Sequence, residues 1–401
     1  MDRDLLISGA SAFDREKQMS LGIVERKPTQ FDEPLYRFLA TETNLRCTVY
    51  YYGADSPNVS FDAEIGQCVG WQPFSEEGYT ARFCPRLSAL RFARLVVGAG
   101  HDLIVTPAVR DSHAVCTALL SKIRGNPVGL RHDHILSIDG QSFSWRIKSQ
   151  LYRWMRGIYS TGHPVGRQAG EYLRHFGFTE ETLFLFPYAV DHEWFALESS
   201  RARETVPDLR DKWRLPRGAQ VVCGVMKFSP REDPLTLVRA FHIARRQIPE
   251  LALLLVGDGS LRKQVEDACG EQLGKSIQLP GYQQYGTLPS VYAAGDVFVH
   301  TAIGQWEVSV NEALACGLPV IAADTVGSAE ELVLPHHLGL VFKRGDAAKL
   351  ASHIVQIFRD SQLRARVREN GLKSLEPWFY KATAERFAAA IRFVREKQHV
   401  S

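Results

Sequence analysis

Short runs of branched apolar residues alternate along this chain with stretches whose apolar positions recur every three to four residues. That is the pattern of buried parallel strands wrapped by amphipathic helices. The second half shows it most plainly. VVCGVMKF (221–228) predicts a buried strand, and Pro234 opens PLTLVRAFHIARRQI, a helix whose Leu235, Val238, Phe241 and Ile248 share a face. Strands at LALLLVG, SIQLPG, DVFVHTA, PVIAA and GLVF follow, with helices at about Leu261, LPSVYAAG, VNEALACG and AAKLASHIVQIFRD between and after them. One complete doubly wound α/β unit is expected over about 205–375. The first half repeats the style through LGIVERK, PLYRFLATET, CTVYYYG, HDLIVTP and PVGLRHD.

The segment ALESSRARETVPDLRDKWR (196–214) is charged, carries a proline and lacks a strand pattern, so the junction between two units is expected there, as a flexible link. A last helix, Trp378 to about Gln398, has an apolar face of Phe379, Phe387, Ile391 and Val394 that needs a partner. The expected division is residues 1–200, 201–377 and a terminal helix 378–401. No internal repeat or low-complexity segment interrupts it.

The length of 401 residues suits two units, and 45% hydrophobic with 23% charged residues excludes a disordered or collagen-like chain. A formal charge of +3 demands no nucleic acid. Two local basic groups, Arg82, Arg86, Arg91 and Arg94, then Arg146, Lys148, Arg153 and Arg156, read either as solvated helix faces or as an attraction to an anionic membrane or acceptor. Seven scattered cysteines without a C-x-x-C pair point to a reducing compartment. The start MDRDLLISGASAFDREKQMS has no apolar leader core and no apolar run reaches bilayer length, so the expectation is cytoplasmic, extending to peripheral contact at a membrane's inner face. His132 and His134 would share one side of a strand but lack a clear third ligand, so no metal is expected.

Chemistry concentrates where TAIGQWEVSVNEALACGLPVIA (301–322) runs from a strand end through a loop into a helix start carrying Glu312. Unpaired N–H groups and the positive end of the helix dipole suit a phosphate there, and Glu312, one turn in, could hold a ribose diol. A surface-facing glutamate would look the same. In order around it stand GVMKFSPREDPLTLVRAF, LLLVGDGSLRKQVE, LPGYQQYGTLPSVYAAGDVFV and GLVFKRGDAAKLA. In these segments the chain resembles the family 4 retaining glycosyltransferases of the GT-B fold. The likeness extends more loosely to PTQFDEPLYRFLA, WQPFSEEGY and YSTGHPVGRQAGEYLRHFGFTEETLFLFPYAVDHEWF.

The resemblance implies two facing Rossmann-like units with a cleft between them, an activated donor, a nucleotide sugar, on the C-terminal one, a hydroxyl acceptor mainly on the N-terminal one, and no cofactor or metal. The last helix would cross back onto the first unit. Residue by residue it implies that Glu312 holds the ribose, Lys227 the donor phosphates, Tyr282 and Gln283 the base, and Gly257 and Gly259 a close backbone approach. Arg231 would serve the phosphates too, Val308 and Ser309 would stand at the helix start, and Trp306 would shape the pocket wall or lie in the core. His132, with Asp133, would stand near the reacting sugar; an alignment loose by one residue leaves Arg131 a candidate there.

Three positions depart from the family pattern. Gly304 stands where the first glutamate of E-x7-E touches the transferred sugar, Glu232 where a second phosphate-binding lysine is usual, and Glu307 where a glycine approaches the phosphates. Together they leave the pocket two charges more negative. A carboxylate about 4 Å from a phosphate charge costs about 4 kcal/mol at an effective dielectric near 20. Either Glu232 and Glu307 point out of the cleft while Arg231 supplies the missing cation, or the donor is unusual, such as a sugar phosphate, or the protein is a degenerate transferase that binds or scaffolds without turnover. The leading expectation is retaining sugar transfer in glycan or glycosylated-metabolite biosynthesis.

Overall fold

The structure, a computed structural model, describes residues 18–29, 31–53, 59–62, 67–70, 78–107, 111–133, 150, 152–188, 190–204, 206–304 and 306–400. His134, Arg146, Lys148, most of WQPFSEEGY and the first 17 residues lie outside it. Two six-stranded sheets form, and every strand pair in them is parallel.

The N-terminal sheet is built from β1 (Met19–Glu25), β2 (Leu45–Tyr51), β5 (Thr80–Phe83), β6 (Leu103–Thr106), β7 (Val128–His132) and β8 (Thr161–Pro164), in the order β5-β2-β1-β6-β7-β8. A short antiparallel pair, β3 (Val59–Asp62) with β4 (Gln67–Gly70), stands apart. The C-terminal sheet comprises β9 (Gln220–Val225), β10 (Leu251–Val256), β11 (Ile277–Gln278), β12 (Val297–His300), β13 (Val320–Ala323) and β14 (Gly339–Phe342), in the order β11-β10-β9-β12-β13-β14. Each sheet therefore winds one way, returns to its middle and winds the other way. The reversals fall between β1 and β6 and between β9 and β12. Strands covered by helices on both faces lose polar alternation. LALLLV of β10 is buried throughout.

The expected helix over PLTLVRAFHIARRQI runs Pro234–Arg245, with Pro234 at its first position and Asp233 accepting from Thr236 N. The 196–214 segment corrects the expectation of a flexible link. It forms helices His192–Arg203 and Val206–Lys212. Phe195, Leu209 and Trp213 are buried in the C-terminal core. Arg210 bridges to Asp296 at 3.1 Å, and Arg203 donates to the Cys316 carbonyl. Leu209, in the second helix, and Trp213, just past its end, turn inward together.

The C-terminal helix runs Tyr380–Val400, two residues later than its pattern suggests. Its Phe387, Ile391 and Val394 join Leu21, Ile23, Val49 and Leu103 in one N-terminal core, and Arg395 reaches Asp102 at 2.9 Å. Phe379 stays outside the helix and stacks on His192, ring centroids 5.2 Å apart. Of the basic groups, Arg82, Arg86, Arg91, Arg94 and Arg153 are exposed. Arg156 instead lies 4.3 Å over the Phe178 ring and donates to the Tyr159 carbonyl. No helix among the described residues is long and apolar enough to cross a membrane.

Candidate functional site

In an open parallel sheet, the loops leaving strand ends on either side of the winding reversal part and leave a crevice. A cavity of about 300 Å³ lies at this place in the C-terminal sheet, beyond β9 and β12. Lys227 and Glu232 follow β9, Gly257 and Asp258 follow β10, His300 ends β12, and Glu307 to Glu312 enter along the next helix, Val308–Ala315. Tyr282 and Gln283 line it from the loop after β11, and Phe31 from the N-terminal half.

Gly257 takes φ 143°, a backbone shape that side chains disfavour, and a Cβ there would fall on the Met226 carbonyl. This close approach is what keeps the loop against the end of β9. Gly259 shares the unusual geometry at φ 153° but does not line the cavity.

Glu312 is 2% exposed. Its Oε2 accepts the Tyr292 hydroxyl at 2.6 Å, while Oε1, on a residue that lines the cavity, has no partner among the described residues. Burial pushes its carboxyl up to about 7, with the Tyr292 hydrogen bond opposing. Beside it, the start of the Val308–Ala315 helix places Val308 and Ser309 on the cavity wall. A hydroxyl donor for Oε1 and an anion for the helix start would complete both features.

The two anomalous glutamates face inward, correcting the reading that turned them to solvent. Arg231 donates from Nη2 to Glu232 Oε1 (2.5 Å) and from Nη1 to Glu307 Oε1 (2.8 Å). Glu232 Oε2 accepts the backbone N–H of Lys227 at 2.9 Å, and His300 Nε2 lies 3.3 Å from Glu307 Oε2. Burial raises Glu232 above the ordinary carboxylate range against the pull of His300 and Arg231, with Glu307 adding to the rise. Burial acts upward on Glu307 too, but His300 and Arg231 outweigh it and hold that carboxyl low. Arg231 is thus shared between two carboxylates rather than supplying a spare cation.

The departures at 304 and 307 are one exchange. A Cβ on Gly304 would land on Glu307 Oε1 and lie 3.2 Å from Arg231 Nη1. Glu307 fills the room that a side chain at 304 would need, so the two positions cannot both carry one in this arrangement.

Other expected residues lie elsewhere. Trp306 does not line the cavity; it packs on Trp378 with ring centroids 4.5 Å apart and crowds Gly166. Nor does His132, whose ring lies 4.4 Å from that of Tyr172 beside an apolar recess with Leu130 and Met155. Asp133 accepts the Tyr188 hydroxyl at 2.8 Å. Successive strand residues face opposite sides, so the neighbouring Arg131 points away from His132 and enters a buried cluster. It bridges Glu25 (2.9 Å) and Asp32 (3.0 Å), with its guanidinium 3.8 Å over the Phe186 ring. Glu25 ends β1 beside the other winding reversal, and Asp32 adjoins the cavity-lining Phe31. His300, Asp258 and Phe31 are cavity residues that sequence reasoning missed. The strand-end rule would have flagged the first two.

Residues 205–374 match the family described as Glycosyl transferases group 1. A GDP-mannose-dependent alpha-mannosyltransferase of Mycobacterium tuberculosis is 35% identical over 143 residues, 34% of this chain and 34% of that protein. A GDP-mannose-dependent alpha-(1-6)-phosphatidylinositol monomannoside mannosyltransferase of Mycolicibacterium smegmatis is 27% identical over 225 residues, 52% of this chain and 56% of that one. The chain therefore spans between a third and just over half of these relatives. Among solved structures, a glycosyltransferase from Rickettsia africae matches with TM-score 0.74 at 13% identity, covering 94% of this chain and 99% of that one. Anabaena Alr3699/HepE in complex with UDP matches with TM-score 0.70 at 19% identity, covering 93% and 99%. At such identities the likeness is one of fold, and the fold is GT-B.

Proposed function

With residues 205–374 matching the glycosyl transferases group 1 family, we propose that this chain transfers a sugar from a nucleotide-sugar donor to a hydroxyl acceptor with retention of anomeric configuration. The observation that carries this reading is Glu312, a buried carboxylate with one oxygen unpartnered on the wall of a cavity at a helix start. In this reading Glu312 holds the donor ribose, Lys227 and the helix start hold the phosphates, and Tyr282 and Gln283 flank the base. The bond from the sugar's anomeric carbon to the phosphate oxygen breaks as the acceptor oxygen bonds on the same face. The acceptor's proton passes to the leaving phosphate. Positioning and charge stabilisation then supply the acceleration, without a metal. Residues 1–200 would contribute the acceptor side, and the work would be done in the cytoplasm, in glycan or glycosylated-metabolite biosynthesis.

Since relatives use GDP-mannose and a structural neighbour binds UDP, the test is calorimetry and thermal shift with GDP-mannose, UDP-glucose, GDP and UDP. A true donor at about 100 times its dissociation constant should stabilise the fold by about 2.7 kcal/mol. Absence of any shift across the panel would sink the reading. NMR of a transferred product should show the donor's anomeric configuration preserved.

The sharing of Arg231 by Glu232 and Glu307 favours a second reading, a protein that keeps the cavity for binding but has lost turnover. The double variant Glu232→Lys with Glu307→Gly addresses it. Removing two carboxylates from the cavity wall should tighten GDP or UDP binding at least tenfold, about 1.4 kcal/mol or more. Adding Gly304→Glu in that background, where Glu307 no longer fills the space, should give transfer activity if the site has lapsed. Unchanged affinity in the folded double variant would mean that the two carboxylates do not oppose phosphate.

A further inference from the structure

The cavity holds more acid than a phosphate site requires, and the acids are built in. Glu232 and Glu307 are 6% and 14% exposed at their side chains, and both converge on Arg231. With both carboxyls ionised, two carboxylates sharing one guanidinium form a unit with one net negative charge. The surrounding elements do not simply cancel it. Lys227, which lines the cavity from the end of β9, adds one positive charge, but its backbone N–H, a natural anion contact, is already taken by Glu232. Asp258 lines the cavity after β10 and Glu312 along the helix, and both are acidic. Asp233 is occupied capping the Pro234 helix. Arg344, from the loop after β14, donates to the carbonyls of Pro230 and Arg231 behind the unit. His300 against Glu307 adds positive charge only when protonated.

We propose, resting on the donor reading above, that the Glu232–Arg231–Glu307 unit makes this cavity a charge selector that favours the intact sugar donor over the nucleoside diphosphate left after transfer. In the donor both phosphates are esterified and the diphosphate carries two negative charges. Transfer frees the terminal phosphate, which gains a further ionisation with a pKa near 6. Each added charge meets carboxylates that are themselves largely buried, where screening is weaker than in bulk water. The product is thereby expelled relative to the donor. Glu232 and Glu307 act as specificity determinants for the ligand's charge state, a role distinct from contact with the ribose or base. At lower pH the product loses its extra charge, and Glu232, which burial already holds above the ordinary range, takes up a proton more readily. Both changes remove the discrimination.

The experiment compares calorimetric affinities of GDP-mannose with GDP and of UDP-glucose with UDP, at pH 8.0 and pH 5.5, on the whole chain without acceptor. Expected at pH 8.0 is a donor that binds at least as tightly as its diphosphate, with the ratio moving about tenfold toward the diphosphate at pH 5.5. Glu232→Gln keeps the side chain's shape and should move the pH 8.0 ratio the same way by a similar factor. Glu307→Gln serves as a second variant should the first fail to fold, with a melting curve checking each. A diphosphate that binds tenfold or more tighter than its donor at pH 8.0, with a ratio indifferent to pH and to both substitutions, overturns the selector while leaving the donor reading standing. Binding of neither pair overturns both.

Discussion

Replacing Arg131 with alanine should lower the stability of the fold by about 3–5 kcal/mol, because it removes a cation that pairs with both Glu25 and Asp32 in a buried cluster. Arg131 is 8% exposed and its guanidinium also covers the Phe186 ring, so packing is lost with the charge. The cluster leaves a mark on pH dependence. Burial raises Glu25 from its ordinary 4.5 to about 7 against the pull of Arg131. The folded protein therefore keeps a proton on Glu25 that the unfolded chain has released, and this site's contribution to stability falls as pH rises from about 4.5 to 7. Without Arg131 the carboxyl should hold that proton more firmly, so the loss in the variant should shrink toward pH 5 and grow toward pH 8. Urea denaturation at both pH values measures this; a loss below about 1 kcal/mol at pH 8 would mean that the cluster relaxes or fills with water.

Glu312→Ala should weaken nucleotide binding by roughly 1.5–3 kcal/mol, about ten- to more than a hundredfold, since a charged acceptor for the ribose hydroxyls is gone. It also strands the Tyr292 hydroxyl, whose only described acceptor is Glu312 Oε2, at an expected stability cost of about 1–3 kcal/mol. Glu312→Gln separates the two effects. Its amide oxygen can still receive Tyr292, so stability should stay within about 1 kcal/mol while much of the affinity is lost. A folded Glu312→Ala protein that binds GDP or UDP as tightly as the parent would take Glu312 out of the site.

The strand and helix alternation was legible because parallel strands buried on both faces leave unbroken apolar runs, and runs such as LALLLV carry that burden in their composition. The place of Glu312 on the cavity wall was legible for a related reason: it stands about one turn into a helix that begins after a strand end. The 196–214 segment misled because charge dominates its composition while two residues, Leu209 and Trp213, with Phe195 just before it, carry the packing. His132 and Arg131 part through register: on a strand, a shift of one residue exchanges the two faces, and it is Arg131 that enters the polar cluster with Glu25 and Asp32. The linked departures at 304 and 307 could not be read from spacing alone, because the reach of the Glu307 side chain back over Gly304 is a fact of three dimensions.

The terminal helix carries a consequence for how the chain is made. Phe387, Ile391 and Val394 finish the core that Leu21, Ile23 and Val49 begin, and the Arg395–Asp102 pair joins residues 293 positions apart. Ribosomes add about 5–20 residues per second, so the last strand of the N-terminal sheet, Thr161–Pro164, is made roughly 12–47 s before the covering helix is finished. Through that interval Leu35, Tyr36, Leu39 and Phe186 can cover part of its apolar face, but the part that Phe387, Ile391 and Val394 fill stands open, whereas the C-terminal sheet can close around segments already at hand. The half synthesised first is therefore the half completed last, and chaperone demand during synthesis should fall on the nascent N-terminal sheet.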